Sequence, residues 1–359
     1  MQITKKIIEK INGQEILLLK FTNDNNYSLS FFNFGGYIDS IRIPFYEDPS
    51  QSEDVILGYR DFQGYVKDQS YFNCIIGRVC GRISNATFDL NGKKYLLFSN
   101  NGSHHLHGGK EGFNKKVWKI VKLEETTNCL KCVLQYISPH LEEGYPGKLE
   151  CKVTYSLTNN NEFIIDFNAE SDEDTIVNLT NHNYWNFHGH HSNYHNITNH
   201  TVKINAQFYC ESDKDLIPTG KLLRVEKNNL NFLELKKLNK NILQNNGIDI
   251  CYCVSDNVFL DLIELNESNL KEVATAYSGI TKMGCIMYAN KPGLQFYTGN
   301  MMNEHYDGKY NKTYGHQYGL CLEPQFFSDS INCKNFIAPI LKKGKKYNSK
   351  IIFKLKNNF

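Results

Sequence analysis

The chain reads as an all-β protein, a large antiparallel β-sandwich with little helix. Three features predict this. Short stretches alternate apolar and polar residues at a period of two, as half-buried strands do. Asn, Gly and Pro punctuate them at close intervals, as turns require. Phe232–Leu243 is the best helical candidate, and it is short. No internal repeat or linker divides the sequence, so residues 1–359 are expected to form a single domain. With 359 residues, 41% hydrophobic and 13% aromatic, the chain can bury a sizeable core.

The strands follow in order. Glu15–Lys20 and Tyr27–Phe34 are apolar or alternating, with Asn-rich turns between them. Phe34-Gly35-Gly36 makes a tight turn into a strand that Pro44 closes. In Asn73–Arg82, Arg78 and Arg82 flank small and apolar residues, each either a surface ion pair or a planar donor to a ligand. Thr87–Leu90, Asn91-Gly92 and Lys93–Phe98 form the clearest hairpin, because Asn-Gly supplies the positive φ angles of a two-residue turn. Trp118–Val121, Leu130–Ile137, Leu149–Leu157 and Glu162–Ala169 continue the alternation. Further strands are expected at Thr201–Ala206, Leu222–Val225, Val258–Glu264, Glu272–Ser278 and Gly284–Ala289.

Composition removes several function classes. Net charge is +2 and the pI about 7.9, so nothing favours nucleic acid or an anionic membrane surface. No apolar stretch is long enough to span a bilayer. The first residues show no secretory signal, so a cytoplasmic location with reduced thiols is expected for the eleven cysteines. Cys129 and Cys132 form a lone Cys-x-x-Cys pair within a strand pattern, and Cys251 and Cys253 share a strand face. Both pairs read as packing rather than metal ligands.

Chemistry concentrates in Leu179-Thr-Asn-His-Asn-Tyr-Trp-Asn186, where apolar residues lead into a polar, aromatic stretch. His182 can give or take a proton near neutrality. Ser103-His104-His105-Leu106-His107-Gly108-Gly109 offers histidines without a nearby acid, which favours hydrogen bonding over metal. Its glycines suggest a thin backbone for close ligand approach. Asp249 is a carboxylate in an apolar segment, Gln295 lies in a glycine-bounded strand, and Glu323 follows an apolar strand and precedes Pro324. With Arg82, these groups at strand ends would line a concave site for a polyhydroxylated ligand. An acid and a base there could open and reclose a sugar ring without cofactor. Asp249 and Glu323 could alternatively serve as the paired acids of glycoside hydrolysis.

At these residues the chain resembles the aldose 1-epimerase (galactose mutarotase) family over nearly its whole length. The likeness is carried by Phe34-Gly-Gly36, Asp54-Val-Ile-Leu-Gly58, Ile76-Gly-Arg78 with Arg82-Ile83, and Leu106-His-Gly-Gly109. It continues in the His182 motif, Pro292-Gly-Leu-Gln-Phe-Tyr-Thr-Gly-Asn300 and Leu322-Glu-Pro-Gln325, all in the family's order. The resemblance implies a β-supersandwich that interconverts the α and β anomers of hexoses such as galactose and glucose. It implies no cofactor or metal, a small-molecule sugar as partner, no nucleic acid or membrane, and a monomer or homodimer. Glu323 would be the general base at the anomeric hydroxyl and His182 the general acid at the ring oxygen. His107 would polarise the sugar, and Arg82, Asp249, Gln295 and Tyr184 would bind it. The family commonly has Asn-Arg where this chain has Gly81-Arg82, so a sugar-contacting amide is missing. The His188–His195 cluster matches no motif and reads as a solvated loop. The rival readings are a non-catalytic sugar-binding module and an enzyme for hexose 6-phosphates, which would need a cationic cluster for the phosphate.

Overall fold

The computed structural model describes residues 1–226, 228–243, 247–255, 269–302 and 306–359. Antiparallel sheets dominate. The largest has nine strands, in the spatial order Lys119–Glu125, Cys129–Ser138, Leu149–Thr158, Glu162–Ser171, Lys346–Lys356, Gly284–Ala289, Lys271–Ser278, His200–Ile204 and Lys236–Lys237. The C-terminal strand thus sits near the middle, between Glu162–Ser171 and Gly284–Ala289. A five-stranded sheet runs Pro218–Arg224, Phe208–Ser212, Asp249–Cys253, Gly293–Tyr297, Cys321–Gln325. A second five-stranded sheet is the N-terminal meander from Gln2–Ile11 to Ser52–Asp54.

Alternation explains why these segments pair as they do. In Leu149–Thr158, Leu149, Cys151, Val153, Tyr155 and Leu157 are fully buried, while Glu150, Lys152 and Thr154 face outward. In Lys346–Lys356, Tyr347, Ile351, Phe353 and Leu355 are buried between lysines. One core cluster gathers such residues from Leu19 to Leu355, with Trp118 and Trp185 fully buried in it. Each large apolar side chain taken from water contributes about 1.5–3 kcal/mol.

The Asn91-Gly92 hairpin forms as predicted, with φ of 52° and 76° at the two turn residues. Phe232–Leu243 is not a helix. Its backbone is drawn to the edge of the large sheet, where Leu238 N–H bonds the His200 carbonyl and Phe232 C=O accepts from Ile204 N–H. Asn231 and Asn239 side chains take up Leu233 and Ile242 N–H, so local turns replace helical bonds. The described residues contain one short α-helix, Phe62–Lys67, capped by Asp61. The strand expected at Val258–Glu264 lies outside the described residues.

Arg78 is neither a surface ion pair nor a ligand donor. It is buried, and its guanidinium donates to Ser138 Oγ and to the carbonyls of Ser138, Pro139 and Pro146. The His188–His195 segment is only partly a solvated loop. His188 is buried between Ser278 Oγ and Thr198 O, and His190 between Asp54 O and Tyr314 Oη. Neutral imidazole satisfies two partners at once, so both rings serve as buried cross-links.

Candidate active site

The five-stranded sheet ending in Cys321–Gln325 makes one wall of a cavity of about 260 Å³. Its register explains how. Cys251 pairs with Gln295 and Gln295 with Glu323; Asp249 pairs with Tyr297 and Tyr297 with Cys321. Side chains directly opposite share a face, so Asp249, Cys251, Gln295, Tyr297 and Glu323 all line the cavity. The intervening Tyr252, Leu294, Phe296 and Leu322 go to the core. The polar face and the apolar face of one sheet are therefore the site and its foundation.

His182 reaches the same cavity from another direction. It follows the two-residue bridge Thr180–Asn181, which pairs with Ile75–Ile76. Its N–H bonds Cys74 O, and its carbonyl accepts from Asn73 N–H. Thr180 Oγ1 donates to Pro324 O, tying this segment to the strand of Glu323. Buried Lys291 adds a second tie, donating to Leu179 O and Asn178 Oδ1, and Asn178 Oδ1 also accepts from Phe326 N–H. Burial lowers the Lys291 pKa to about 8.

The outcome is contact. His182 Nε2 stands 3.5 Å from Glu323 Oε1, with the two side chains 7% and 3% exposed. His182 Nδ1 and Glu323 Oε2 are both buried without a hydrogen-bond partner. Such orphaned atoms are expensive in a finished core and ordinary in a site that a ligand completes. Burial disfavours charge on both groups. It lowers the His182 pKa to about 4 and, helped by the Asp249 charge, raises that of Glu323 well above the usual carboxylate range. Carboxyl with neutral imidazole, and carboxylate with imidazolium, are two arrangements of the same single proton. Desolvation favours the first, and polar groups brought by a ligand favour the second.

The other expected residues join them. His107, at φ 52°, accepts Gly81 N–H at Nδ1 (3.2 Å), while its own N–H donates to Gly81 O. Burial and the neighbouring His182 and Arg82 hold it neutral, so the proton sits on Nε2 and that nitrogen is a donor. Gln295 Nε2 donates to Asp249 Oδ1 (2.6 Å), Gln325 Nε2 reaches Gln295 Oε1, and Cys80 Sγ donates to Gln325 Oε1. Arg82 Nε is fixed by Asn101 Oδ1 (3.0 Å), and Arg82 is the one cationic residue among the described residues lining the cavity. Tyr184 stacks on His182 with ring centroids 5.0 Å apart, and its hydroxyl donates to Ser70 O. It orients the imidazole with its face.

Two expectations about the histidine-glycine stretch divide. His105 is hydrogen-bonded, to Phe98 O and the Tyr145 hydroxyl. The following glycines admit protein backbone and side chain rather than ligand: a Cβ on Gly108 would lie 1.8 Å from Gly77 O, and one on Gly109 2.1 Å from Glu143 Oε2. Tyr71 had no motif to reveal it. It lines the cavity at φ 59°, edge-on to His107 and roughly parallel to His182. His182, Cys321 and Glu323 bring potential ligand atoms within 4.8 Å of one another. Burial and the Glu323 and Asp249 charges push the Cys321 thiol pKa up, so the thiol is neutral beside the pair.

The sequence model of the aldose 1-epimerase family matches residues 18–354, which contain every site residue above. The chain belongs to the aldose 1-epimerase family. Curated relatives include the galactose mutarotases of Homo sapiens, 36% identical over 309 residues (85% of this chain, 84% of the relative), and Bos taurus, 34% identical over 306 residues with the same coverage. The aldose 1-epimerase of Streptococcus thermophilus is 29% identical across 100% of this chain and 99% of its own. Among solved structures, a galactose 1-epimerase from Lactobacillus acidophilus matches with a TM-score of 0.84 at 20% identity. It covers 100% of this chain and 99% of the other. A C. elegans homologue matches at 0.83 and 23%, covering 95% and 99%. This aldose 1-epimerase family member is accordingly an isomerase of the mutarotase class with the galactose mutarotase fold, and its substrate class is a sugar.

Proposed function

We propose that this enzyme interconverts the α and β anomers of hexoses such as galactose and glucose, with Glu323 as base and His182 as acid. The observation that carries the assignment is the 3.5 Å contact of these two groups at the cavity wall, each holding one unpartnered polar atom. The two groups are adjacent rather than on opposite sides of the cavity. Adjacency suits the chemistry, because the anomeric hydroxyl and the ring oxygen share one carbon. Glu323 removes the proton from the anomeric hydroxyl as His182 gives one to the ring oxygen, and the bond from C1 to that oxygen breaks. The aldehyde turns about C1–C2. The two groups then reverse roles, and the ring closes from either face. Each transfer contributes about 10²–10⁴-fold in rate.

The remaining groups hold the substrate. His107 donates from Nε2 near the reacting oxygens, and Asp249, Gln295 and Arg82 bond hydroxyls along the cavity. Tyr184 keeps the His182 ring in plane. Glycoside hydrolysis is the poorer reading: Asp249 is engaged by Gln295, and the group set against Glu323 is the His182 imidazole rather than a second carboxylate. A single lining cation, already held by Asn101, suits neutral sugars better than hexose 6-phosphates. The continuous core from Leu19 to Leu355 supports reading the chain as one domain.

Polarimetry of freshly dissolved α-galactose or α-glucose tests the activity; equilibration no faster than in buffer would end the proposal. Glu323→Gln should stay folded and lose about 10²–10⁴-fold in kcat. A fully active variant would remove Glu323 from the base role, and sugar binding without turnover in the wild type would favour the binding-module reading.

A further inference from the structure

Gly81 stands where the resemblance places a sugar-contacting amide, and the structure shows what occupies the vacated room. A Cβ built on Gly81 would lie 2.2 Å from Ser328 Oγ, 3.1 Å from Ser328 Cβ and 3.5 Å from its Cα. The Ser328 hydroxyl is therefore in the place that the first carbon of a side chain at position 81 would take. Ser328 and Gly81 line the cavity together with Arg82, His107 and Asp249.

The placement is built into the backbone. Asp329 N–H bonds Arg82 O at 2.8 Å, and Asp329 Oδ1 accepts Ser84 N–H at 2.9 Å. These bonds stitch the turn after Glu323 to the strand Arg82–Ile83 on both sides of Ser328's neighbour. Gly81 is fixed in its turn by the two-way pair with His107. Backbone strain does not account for the glycine against asparagine: φ is +76°, in the left-handed region that Asn tolerates better than most residues. What a side chain at position 81 meets is the Ser328 hydroxyl, which would have to turn out of the place it holds at the cavity wall.

The geometry points to Ser328 as a substrate-binding residue that takes over, from the opposite strand end, the hydroxyl-reading hydrogen bond lost with the amide at position 81. A serine hydroxyl both donates and accepts, so one atom can replace one hand of an amide toward a sugar hydroxyl. Gly81 and Ser328 then form a matched pair in which the small residue makes room for the polar one. The inference rests on the sugar reading of this cavity and adds a specificity determinant to it.

The test is Ser328→Ala, measured both by calorimetric binding and by mutarotation of galactose and its 2-, 3-, 4- and 6-deoxy forms. Losing one neutral hydrogen bond should raise Kd and KM for galactose about three- to tenfold with kcat little changed. The penalty should vanish for the one deoxy sugar that lacks the hydroxyl read by Ser328. An equal penalty on every sugar, or none on galactose, would overturn the assignment. Gly81→Asn alone should bind poorly because of the overlap. Gly81→Asn combined with Ser328→Gly should regain affinity, and a double variant no better than Gly81→Asn would also count against the pair. Binding isolates this proposal from the catalytic one: wild-type protein that binds but does not turn over would sink the mutarotase reading alone.

Discussion

Glu323 and His182 differ in chemistry, and burial treats them alike by penalising the charged form of each. In the proposed mechanism the pair is active with one proton between them, loses its base with two and loses its acid with none. The rate should therefore follow a bell. The acid limb belongs to the second proton on the pair and should lie near the depressed His182 value of about 4. The alkaline limb belongs to the raised Glu323 side, and Asp249 contributes to that rise through its negative charge. Asp249→Asn removes the charge, so its alkaline limb in kcat should move to lower pH while the acid limb stays. A profile with both limbs unmoved would show that Asp249 does not act on Glu323 electrostatically. The letters of His182 and Glu323 were legible in their motifs, and so were Arg82, His107, Asp249 and Gln295. Tyr71 and Ser328 were not, because nothing local marks an aromatic ring or a hydroxyl that becomes important by proximity alone.

Elements position these residues, and their own stability rests on groups far from the sugar. Lys309 Nζ donates to Asp54 Oδ2 at 2.9 Å and to Ile56 O, with Asp54 wholly buried and Lys309 nearly so. Asp54 ends the N-terminal meander, and Ile56 bridges to Trp185, three residues past His182. Removing the lysine strands a buried carboxylate. Lys309→Ala should cost about 3–5 kcal/mol in chemical denaturation; a loss below about 1 kcal/mol would show that the carboxylate finds another partner instead. Strands with clean alternation were readable because burial on one face leaves a period-two record, as in Leu149–Thr158. Phe232–Leu243 was misread because its apolar spacing fits a helix, while pairing with His200–Ile204 and Asn side-chain bonds decided otherwise. The Gly108-Gly109 pair was read as thin backbone for a ligand, but what approaches it is Gly77 O and Glu143 Oε2, which no local sequence could indicate.

At the scale of the molecule, buried neutral histidines link stability to pH. His105 is fully buried, with Nδ1 donating to Phe98 O and Nε2 accepting from the Tyr145 hydroxyl, and its pKa falls to about 4. Unfolded, it would titrate near 6.5. Its contribution is whole above that value and is lost as pH falls toward 4, because the unfolded chain then binds a proton that the folded one refuses. Full loss amounts to roughly 3 kcal/mol. His182 and His190 act in the same sense; Asp39, Asp68, Asp249 and Glu323, raised by burial, act in the opposite one. The clean measurement is a difference. Between pH 6.5 and 4.5, unfolding free energy should fall more steeply in the wild type than in His105→Gln, and parallel slopes would contradict a neutral buried His105.

The sequence alone determined the all-β class, most strand positions and the family, and it named the candidate residues that the fold brings to the cavity. Period-two burial, turn chemistry and motif order are all local properties of a chain. Only the tertiary structure decided that His182 and Glu323 touch, that Arg78 and His188 are buried braces, and that Ser328 fills the room beside Gly81. Those facts depend on pairings between strands far apart in sequence, and the energy that selects among such pairings belongs to the whole core rather than to any segment of it.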